Sequence, residues 1–407
     1  MPHPGNPVTR SLTRVLADVR AQDHPGRVAD YIPELSRADP EAFAISAASV
    51  SGHTYAAGDS TTLFTIQSIS KAFVYALVLS EHGADAVTAR VGVEPSGEAF
   101  NAVSFDDRGR PHNPLVNAGA IVTTSLVPGA SAEERFARIR RGLSAFAGRD
   151  LDCDETVAAS ESATGDRNRA LAMLARSSGA LTEPVDDVVE AYFRQCALRV
   201  DTTDIAVMGA TLAGDGINPR TGERVVPPAV ARDTLSVMAS CGMYDRSGQW
   251  LFEVGMPAKS GVGGGIVAVA PGEYGIGVFS PPLDAVGNSA RGVATLRTLS
   301  QEFGLHLFRH PERPASPVQA IDVEPGGTVV IRLRGMLDFV AAEQVAHLTA
   351  YGPETTADAT TRVVLDVSAV TASTRVAARL LADVAAELRL QGRDIVLVDP
   401  DGVIDIA

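Results

Sequence analysis

The amino-acid sequence predicts an α+β fold, with an antiparallel sheet set against a helical lobe, followed by a small C-terminal α/β domain. Two short strand-like runs near the N-terminus come first, then a helix-rich region from about Glu94 to Met238, and then three β-like runs separated by Gly and Pro. Sequential strands joined by short turns favour antiparallel pairing over β-α-β units. A chain of 407 residues is also too long for one ordinary domain.

The predicted elements follow in chain order. An amphipathic helix covers 11–21, and the strand-like runs 43–52 and 54–59 read as a pair. The second half of 60–83 has helical apolar spacing and a Gly83 stop, which places the stretch "SISK" at a helix start. Four further segments have helical patterns: 132–148, 166–180, 184–198 and 201–214. The β-like runs are 250–261, 264–271 and 274–282, and a helix over 290–308 closes the region.

After a proline-rich stretch the pattern starts again. We expect a catalytic domain over 1–310, a linker over 311–317 and a second domain over 318–407. The second domain is predicted to alternate strands and helices, over 327–335, 336–351, 362–370, 374–392 and 393–400.

Composition excludes several classes of function. The net charge of −14 argues against nucleic-acid binding and against anionic membranes. No apolar h-region opens the chain and no run is long enough to span a bilayer, so we expect no membrane insertion. Three scattered cysteines without a CxxC motif fit a reducing cytoplasm. The eight histidines show no ligand spacing, so no metal and no cofactor is predicted.

Lysine is rare in this chain, and both of its positions are informative. Lys71 and Lys259 are the two lysines among 35 basic Lys and Arg residues. Ser68 and Lys71 form an SxxK pattern, and residues three apart share a helix face. A lysine with a lowered pKa can take the proton of a serine nucleophile, whereas arginine stays protonated. A chance match is the alternative for so short a pattern.

The second lysine stands in "AKSGVGGG", with Lys259 and Ser260 at the end of a predicted strand. The glycines that follow would let backbone amides approach a ligand and face an oxyanion. A glycine-rich hairpin with an incidental lysine is the alternative. SxxK followed by K-[ST]-G is the pattern of penicilloyl-serine transferases and β-lactamases, and the pair is more specific than either motif alone.

Polar residues between the two motifs could form a pocket for a zwitterion. A carboxylate such as Glu161 suits an α-ammonium, while amides and phenols suit an α-carboxylate. The candidates of the second kind are Asn117, Asn168 and Tyr192, with Tyr244 and Tyr31 as further tyrosines. Helix capping and backbone satisfaction are the commoner fates of such residues.

Seven motifs together resemble the serine-dependent glutaminases, which share the β-lactamase-like fold. The motifs are "YIPEL", "IQSISK", "NPLVNAGAI", "ESATGDRN", "YFRQC", "CGMYD" and "PAKSGVGGGI". The resemblance covers about residues 25 to 305 and implies the following roles. Ser68 is the nucleophile and Lys71 its base, with Tyr244 and nearby Tyr31 as proton relays. Glutamine is held by Asn117, Glu161, Asn168 and Tyr192, and the amides of Ser68 and Val262 form the oxyanion hole.

The C-terminal region resembles a STAS domain through "VIRLRGMLDF", "VVLDVSAVT" and "GRDIVLV". Phosphoregulated members carry an Asp-Ser pair where this chain has "TASTRVAA". Ser373 or Thr374 could still accept a phosphoryl group, but a passive interaction or dimerisation module is favoured.

We therefore predict an L-glutaminase that converts L-glutamine to L-glutamate and ammonia, assembled as a homo-oligomer (dimer or tetramer), with a possible protein partner at the STAS-like domain. Three alternatives remain at this point: a β-lactamase or penicillin-binding hydrolase, an esterase or peptidase of the same fold, and a catalytically silent binding protein.

Overall fold

The computed structural model of the chain describes residues 6–30, 32–96, 105–309, 316–352, 355, 357 and 360–404. These fall into two compact units, Met1–Arg309 and His310–Ala407. No helix among these described residues is long and apolar enough to cross a membrane.

The first unit is built on a five-stranded sheet in the order β2-β1-β7-β6-β5, in which every neighbouring pair is antiparallel. Its strands are β1 (Ala44–Ser49), β2 (Thr54–Gly58), β5 (Ala258–Ser260), β6 (Gly265–Ala270) and β7 (Tyr274–Phe279). Strands β1 and β6 are buried along their whole length, which explains their near-continuous runs of small and apolar residues. The predicted strand pair and the antiparallel sheet are confirmed.

Helices cover both faces of this sheet. Helices α1 (Pro7–Arg20) and α12 (Ala290–Phe303) pack with it in one apolar cluster. Helix α9 (Thr202–Ala213) lies on the other face, very close to β7. A Cβ on Gly275 would lie 2.1 Å from the carbonyl oxygen of Ala206, so only glycine permits this approach.

The remaining helices form a lobe beside the sheet, around a core that includes Phe73, Ile139 and Phe146. They are α2 (Ser70–His82), α3 (Ala84–Thr88), α4 (Asn117–Leu126), α5 (Ala132–Ala147), α6 (Glu155–Thr164), α7 (Asp166–Ser177), α8 (Val185–Cys196) and α10 (Pro228–Cys241). Two short strands, β3 (Phe64–Thr65) and β4 (Arg199–Val200), pair at the edge of the lobe. The helix-rich region is thus confirmed.

One predicted strand is wrong over half its length. The run 250–261 was expected to be β-like, but its first part belongs to helix α11 (Ser247–Glu253), and only Ala258–Ser260 is strand. Trp250 and Val254 are buried while Phe252 between them is 85% exposed. Burial at a spacing of four residues is helical, whereas a strand would bury every second side chain.

The second unit contains a four-stranded sheet in the order β11-β10-β9-β8. The central pairs are parallel, and β8 pairs antiparallel with β9. Its elements are β8 (Val318–Glu324), β9 (Thr328–Leu337), α13 (Phe339–Tyr351), β10 (Arg362–Ser373), α14 (Arg375–Leu390) and β11 (Asp394–Val398). Both helices contribute to one apolar core with the sheet. The small α/β domain is confirmed, with β8 as an additional strand.

Candidate active site

The SxxK motif lies between the end of strand β3 and the first turn of the buried helix α2. Residues Gln67–Ile69 form a 3₁₀ turn that runs directly into α2 at Ser70. Gln67 has φ of 49°, the left-handed region that non-glycine residues rarely adopt. Strain of this kind persists where the surrounding structure holds it, often beside a reactive group. Ser68 is 7% exposed and Lys71 only 1%.

Lys71 is a buried amine held by one amide. Its Nζ donates a hydrogen bond to Asn117 Oδ1 at 2.5 Å. Burial lowers the pKa of Lys71 to about 8, against the opposing influence of Cys196 and of the Glu161 carboxylate. A neutral amine at this position can therefore form near physiological pH. The direct Ser68–Lys71 proton transfer stays a prediction.

The glycine-rich turn after β5 lies against the SxxK turn. A Cβ on Gly261 or Gly263 would stand 3.1 Å from the carbonyl oxygen of Ile66 or Thr65, respectively. Among the described residues, the backbone N–H groups of Ser68 and Val262 make no hydrogen bond to a backbone carbonyl in the turns and loops. An oxyanion hole requires two such donors near the nucleophile, so the assignment of these amides to it stays a prediction.

Tyr244 and Lys259 pack together behind this turn. Tyr244 adopts φ of 57° and donates its hydroxyl proton to the Ser260 carbonyl at 3.2 Å. Burial raises the pKa of Tyr244 well above its usual value, and the nearby Ser68 and Ser260 oppose the rise. Lys259 Nζ lies 4.4 Å from the centroid of the Tyr244 ring and donates to the carbonyls of Ser260 and Gly242. Burial lowers the pKa of Lys259 well below its usual value, and the nearby Lys71 lowers it further.

Six of the predicted residues line one cavity of about 300 Å³, at the lower end of ordinary ligand pockets. They are Ser68, Asn117, Glu161, Asn168, Tyr192 and Val262. Asn117 Nδ2 donates to Asn168 Oδ1 at 3.0 Å, and the Tyr192 hydroxyl lies 3.5 Å from Asn117 Oδ1. Burial raises the pKa of Glu161 to about 7, while Gln67 and Lys71 oppose the rise. Burial also raises the pKa of Tyr192 well above its usual value, so that phenol stays protonated.

The other predicted residues lie elsewhere. Lys259 and Ser260 are fully buried beside the cavity, and the Ser260 hydroxyl has no partner among the described residues. Tyr31 lies outside the described residues. Asn113, which belongs to the same motif as Asn117, accepts hydrogen bonds from the amides of Leu115 and Val116 and so shapes the entry to α4.

Sequence reasoning missed six residues that line the cavity: Ile32, Gln67, Thr164, Gly165, Arg167 and Cys196. Gln67 and Arg167 both lie inside motifs used for the resemblance, next to the residues that were selected. Cys196 is one helical turn after Tyr192, on the same face of α8. Among the described residues, no cluster of three or more His, Cys, Asp or Glu could hold a metal ion.

Comparison with known proteins identifies the family of each domain. The Glutaminase family profile matches residues 26–308, and the STAS domain profile matches residues 319–405. A glutaminase from Corynebacterium glutamicum is 44% identical over 401 residues, which is 98% of this chain and 95% of that protein. A glutaminase from Clavibacter michiganensis subsp. michiganensis is 54% identical over 73% of this chain and 91% of its own length.

Solved structures give the same result. The crystal structure of Mglu in its tris and glutamate form is 37% identical, covers all of both chains and superposes with a TM-score of 0.86. A family match over most of the chain, supported by relatives well above 30% identity, shows which family the chain belongs to. The chain belongs to the glutaminase family, with a C-terminal STAS domain, and is an enzyme that hydrolyses L-glutamine to L-glutamate and ammonia.

Proposed function

We propose that this glutaminase works through a Ser–Lys acyl-enzyme mechanism, with Ser68 as nucleophile and Lys71 as its general base. The observation that carries the proposal is the environment of Lys71. The amine is buried, is held by Asn117 and has a pKa lowered to about 8, three residues after a serine in a strained turn. A base with a pKa near the working pH is the efficient choice for proton transfer.

The amino-acid end of glutamine is proposed to bind deep in the cavity. Glu161 receives the α-ammonium group, because burial raises the pKa of this carboxyl group and an added cation would stabilise its ionised form. Asn117, Asn168 and Tyr192 hold the α-carboxylate through amide and phenol donors. The relative Mglu has been crystallised in a glutamate form, which supports a site for this product in the family.

Attack of Ser68 Oγ on the side-chain amide carbon gives a tetrahedral oxyanion, as its proton passes to Lys71. The amides of Ser68 and Val262 receive the oxyanion, and donors of this kind contribute about 3–4 kcal/mol each to transition-state stabilisation. Collapse breaks the C–N bond, ammonia leaves, and a γ-glutamyl ester on Ser68 remains. Water then attacks the ester and releases glutamate.

Tyr244 is proposed to relay the proton to the leaving nitrogen. Its hydrogen bond to the Ser260 carbonyl and the influence of Ser68 on its pKa support this role, because both indicate a phenol close to the nucleophile. Tyr31 is kept as a second relay candidate. Lys259 acts from behind the ring by fixing Tyr244 and the Ser260 carbonyl, and the contact geometry favours this positioning role over proton transfer.

An ammonia-release assay tests the proposal. The purified chain should release ammonia from glutamine far faster than from asparagine, and Ser68→Ala should abolish turnover while leaving the thermal melt unchanged. Mass spectrometry of a quenched reaction should find a γ-glutamyl adduct on Ser68. An active Ser68→Ala variant would refute the nucleophile.

We further propose the domain boundaries 1–310 and 318–407 with a linker at 311–317, a cytoplasmic location, a homo-oligomer and a protein partner for the STAS domain. The two compact units and the two family matches support the boundaries. The three free cysteines support a reducing compartment.

A further inference from the structure

Three buried polar side chains form a row of hydrogen bonds behind the SxxK turn. They are Thr124 of α4, Gln195 of α8 and Ser70 at the start of α2, and we call them the rear network. Thr124 Oγ1 donates to Gln195 Oε1 at 3.0 Å, and Gln195 Nε2 donates to Ser70 Oγ at 3.0 Å. Ser70 Oγ donates in turn to the backbone carbonyl of Gln67 at 2.8 Å. The three residues of the rear network are not among those that line the glutamine cavity.

The hydrogen bonds of the rear network run in one direction. An amide side chain has an accepting oxygen and a donating nitrogen, and a hydroxyl has a single proton to donate. The oxygen of Gln195 accepts from Thr124, so its nitrogen is directed towards Ser70. Because Ser70 Oγ accepts from Gln195, its own proton points to the carbonyl of Gln67. Each member therefore orients the next, and the network ends on one backbone oxygen.

The carbonyl of Gln67 belongs to the same peptide unit as the N–H of Ser68. A trans peptide unit is planar, so its C=O and N–H point in opposite directions, and the described residues contain no cis peptide bond. A hydrogen bond that fixes the direction of the Gln67 carbonyl therefore also fixes the direction of the Ser68 N–H. That N–H is one of the two donors of the proposed oxyanion hole.

The backbone conformation of Gln67 makes this fixation necessary. Its φ of 49° lies in the left-handed region, which is costly for a residue with a side chain. The backbone N–H of Ser70 also donates to the Gln67 carbonyl, so Ser70 supplies two donors to this one oxygen and occupies both of its lone pairs. Ser70 thus opposes rotation of the peptide unit out of its strained orientation.

We propose that Ser70, Gln195 and Thr124 are positioning residues for the oxyanion hole, and that they act through the peptide unit between Gln67 and Ser68. The inference rests on the proposed function, in which Ser68 is the nucleophile and its N–H receives the oxyanion. Negative charge develops on the substrate oxygen only in the transition state, so a misdirected donor weakens transition-state stabilisation more than substrate binding. Loss of the rear network should therefore lower kcat and leave KM for glutamine nearly unchanged.

The test measures kcat and KM for glutamine in variants of the full-length chain. Ser70→Ala removes the hydroxyl donor but keeps the backbone N–H donor, so kcat should fall about tenfold, less than after complete loss of an oxyanion donor. Gln195→Met keeps the proton of Ser70 but removes the group that orients it, so kcat should fall about threefold. Thr124→Val should have the smallest effect, and Thr124→Ser should restore the wild-type kcat. Because Gln195 and Thr124 lie on other helices, their variants keep the test decisive if Ser70→Ala does not fold.

The matched control is Ser125→Ala. Ser125 is a buried helical serine outside the rear network, and its hydroxyl donates to the carbonyl of Val122, three residues earlier, at 2.8 Å. Ser70 and Gln67 have the same spacing and the same distance. Ser125→Ala should lower the melting temperature by about 2–4 °C and leave kcat unchanged. Ser70→Ala should lower the melting temperature at least as much, because Gln195 Nε2 also loses its acceptor.

Three results would overturn the inference and leave the proposed function standing. The first is a folded Ser70→Ala variant, or a folded Gln195→Met variant, with the kcat of the wild type. The second is an equal loss of kcat in Ser70→Ala and Ser125→Ala, which would reflect lost stability alone. The third is a higher KM at unchanged kcat, which would mean that the network shapes the substrate cavity. An active Ser68→Ala variant would instead contradict the proposed function itself.

Discussion

At the scale of single residues, the two buried lysines have different environments, and we propose different roles for them. Lys71 contacts an amide and has a pKa of about 8, whereas Lys259 faces two carbonyls and an aromatic ring. A side chain can act as the base only in its neutral form, which lysine can reach and arginine cannot. Lys71→Arg should therefore lower kcat by about 10²–10⁴-fold although the charge is kept. Ammonia release measures the effect, with Ser68→Ala as the inactive reference. Activity within tenfold of the wild type would contradict the base role.

The pH dependence of turnover should follow the protonation state of Lys71. Lys71 must be neutral to accept the proton of Ser68, and its pKa of about 8 leaves few neutral amines in acid. Raising the pH from 6 to 8 increases the neutral fraction roughly 50-fold, so kcat/KM should climb steeply over this range. Glu161 has a pKa of about 7 and must be ionised to bind an ammonium group, which steepens the rise. In Glu161→Gln, only the inflection near pH 8 should remain. A flat wild-type profile would argue against both assignments.

Lys71 should also destabilise the folded chain. Its pKa is about 8 when folded and 10.5 in the reference state, a difference worth about 3 kcal/mol. The folded pKa is lowered, so this penalty is fully present below pH 8 and fades as the pH rises towards 10.5. Lys71→Met removes the penalty but leaves Asn117 Oδ1 with only the longer hydrogen bond from the Tyr192 hydroxyl, which costs about 1–2 kcal/mol. Urea denaturation should find the variant more stable by about 1–2 kcal/mol at pH 7, with a smaller gain at pH 9.5.

At the scale of elements, local patterns revealed most helices and strands but not how they come together. The helical pattern of 201–214 predicted helix α9, yet the packing of this helix on the sheet depends on Gly275, about seventy residues later. Strand β8 was not expected because it directly follows a proline-rich stretch and owes its order to pairing with β9. The N-terminal part of 250–261 was wrong because aromatic and branched residues resemble a strand in composition, although their burial is helical.

In the candidate site, too, sequence motifs predicted the residues, while their geometry depends on tertiary packing. The order of the motifs predicted Ser68, Lys71 and the polar residues of the cavity. This was possible because the chemistry of these side chains depends on residue type, which the sequence gives directly. The left-handed φ of Gln67 and the aromatic contact between Lys259 and Tyr244 depend on tertiary packing.

Substitutions in the glycine-rich turn between β5 and β6 can test the proposed oxyanion hole. Gly264 has φ of 97°, and a Cβ there would lie 2.6 Å from backbone atoms of Ser280 and Pro281. Gly264→Ala should shift this turn and the amide of Val262 with it, which lowers kcat at least tenfold. Gly272 in the β6–β7 turn is the matched control, since it has φ of 77° but open space around its Cβ position. Gly272→Ala should cost about 1 kcal/mol in stability, as left-handed strain does, and leave kcat unchanged. Equal kcat values for the two variants would contradict the role of this turn.

At the scale of the whole molecule, each unit completes its own sheet and its own apolar core. The clusters around Phe73 and Ile45 lie in the first unit, and the cluster around Val329 and Leu365 lies in the second. The second unit also has an ordinary size for an independent domain. The residues that we propose for catalysis all belong to the first unit. Catalysis and the folding of the STAS domain should therefore be separable.

A fragment of residues 1–310 should fold and keep kcat/KM for glutamine within about twofold of the full chain, because none of the proposed site residues is removed. A fragment of residues 316–407 should give a cooperative melt of its own, because β8 to β11 and both helices are retained. Calorimetry of the full chain should then show two transitions at the temperatures of the separate fragments. A single transition, or a fragment 1–310 that is insoluble or inactive, would mean that the STAS domain stabilises the catalytic unit. Sedimentation of the three proteins would further decide which unit assembles the proposed homo-oligomer, since only the fragment that carries the interface should match the subunit number of the full chain.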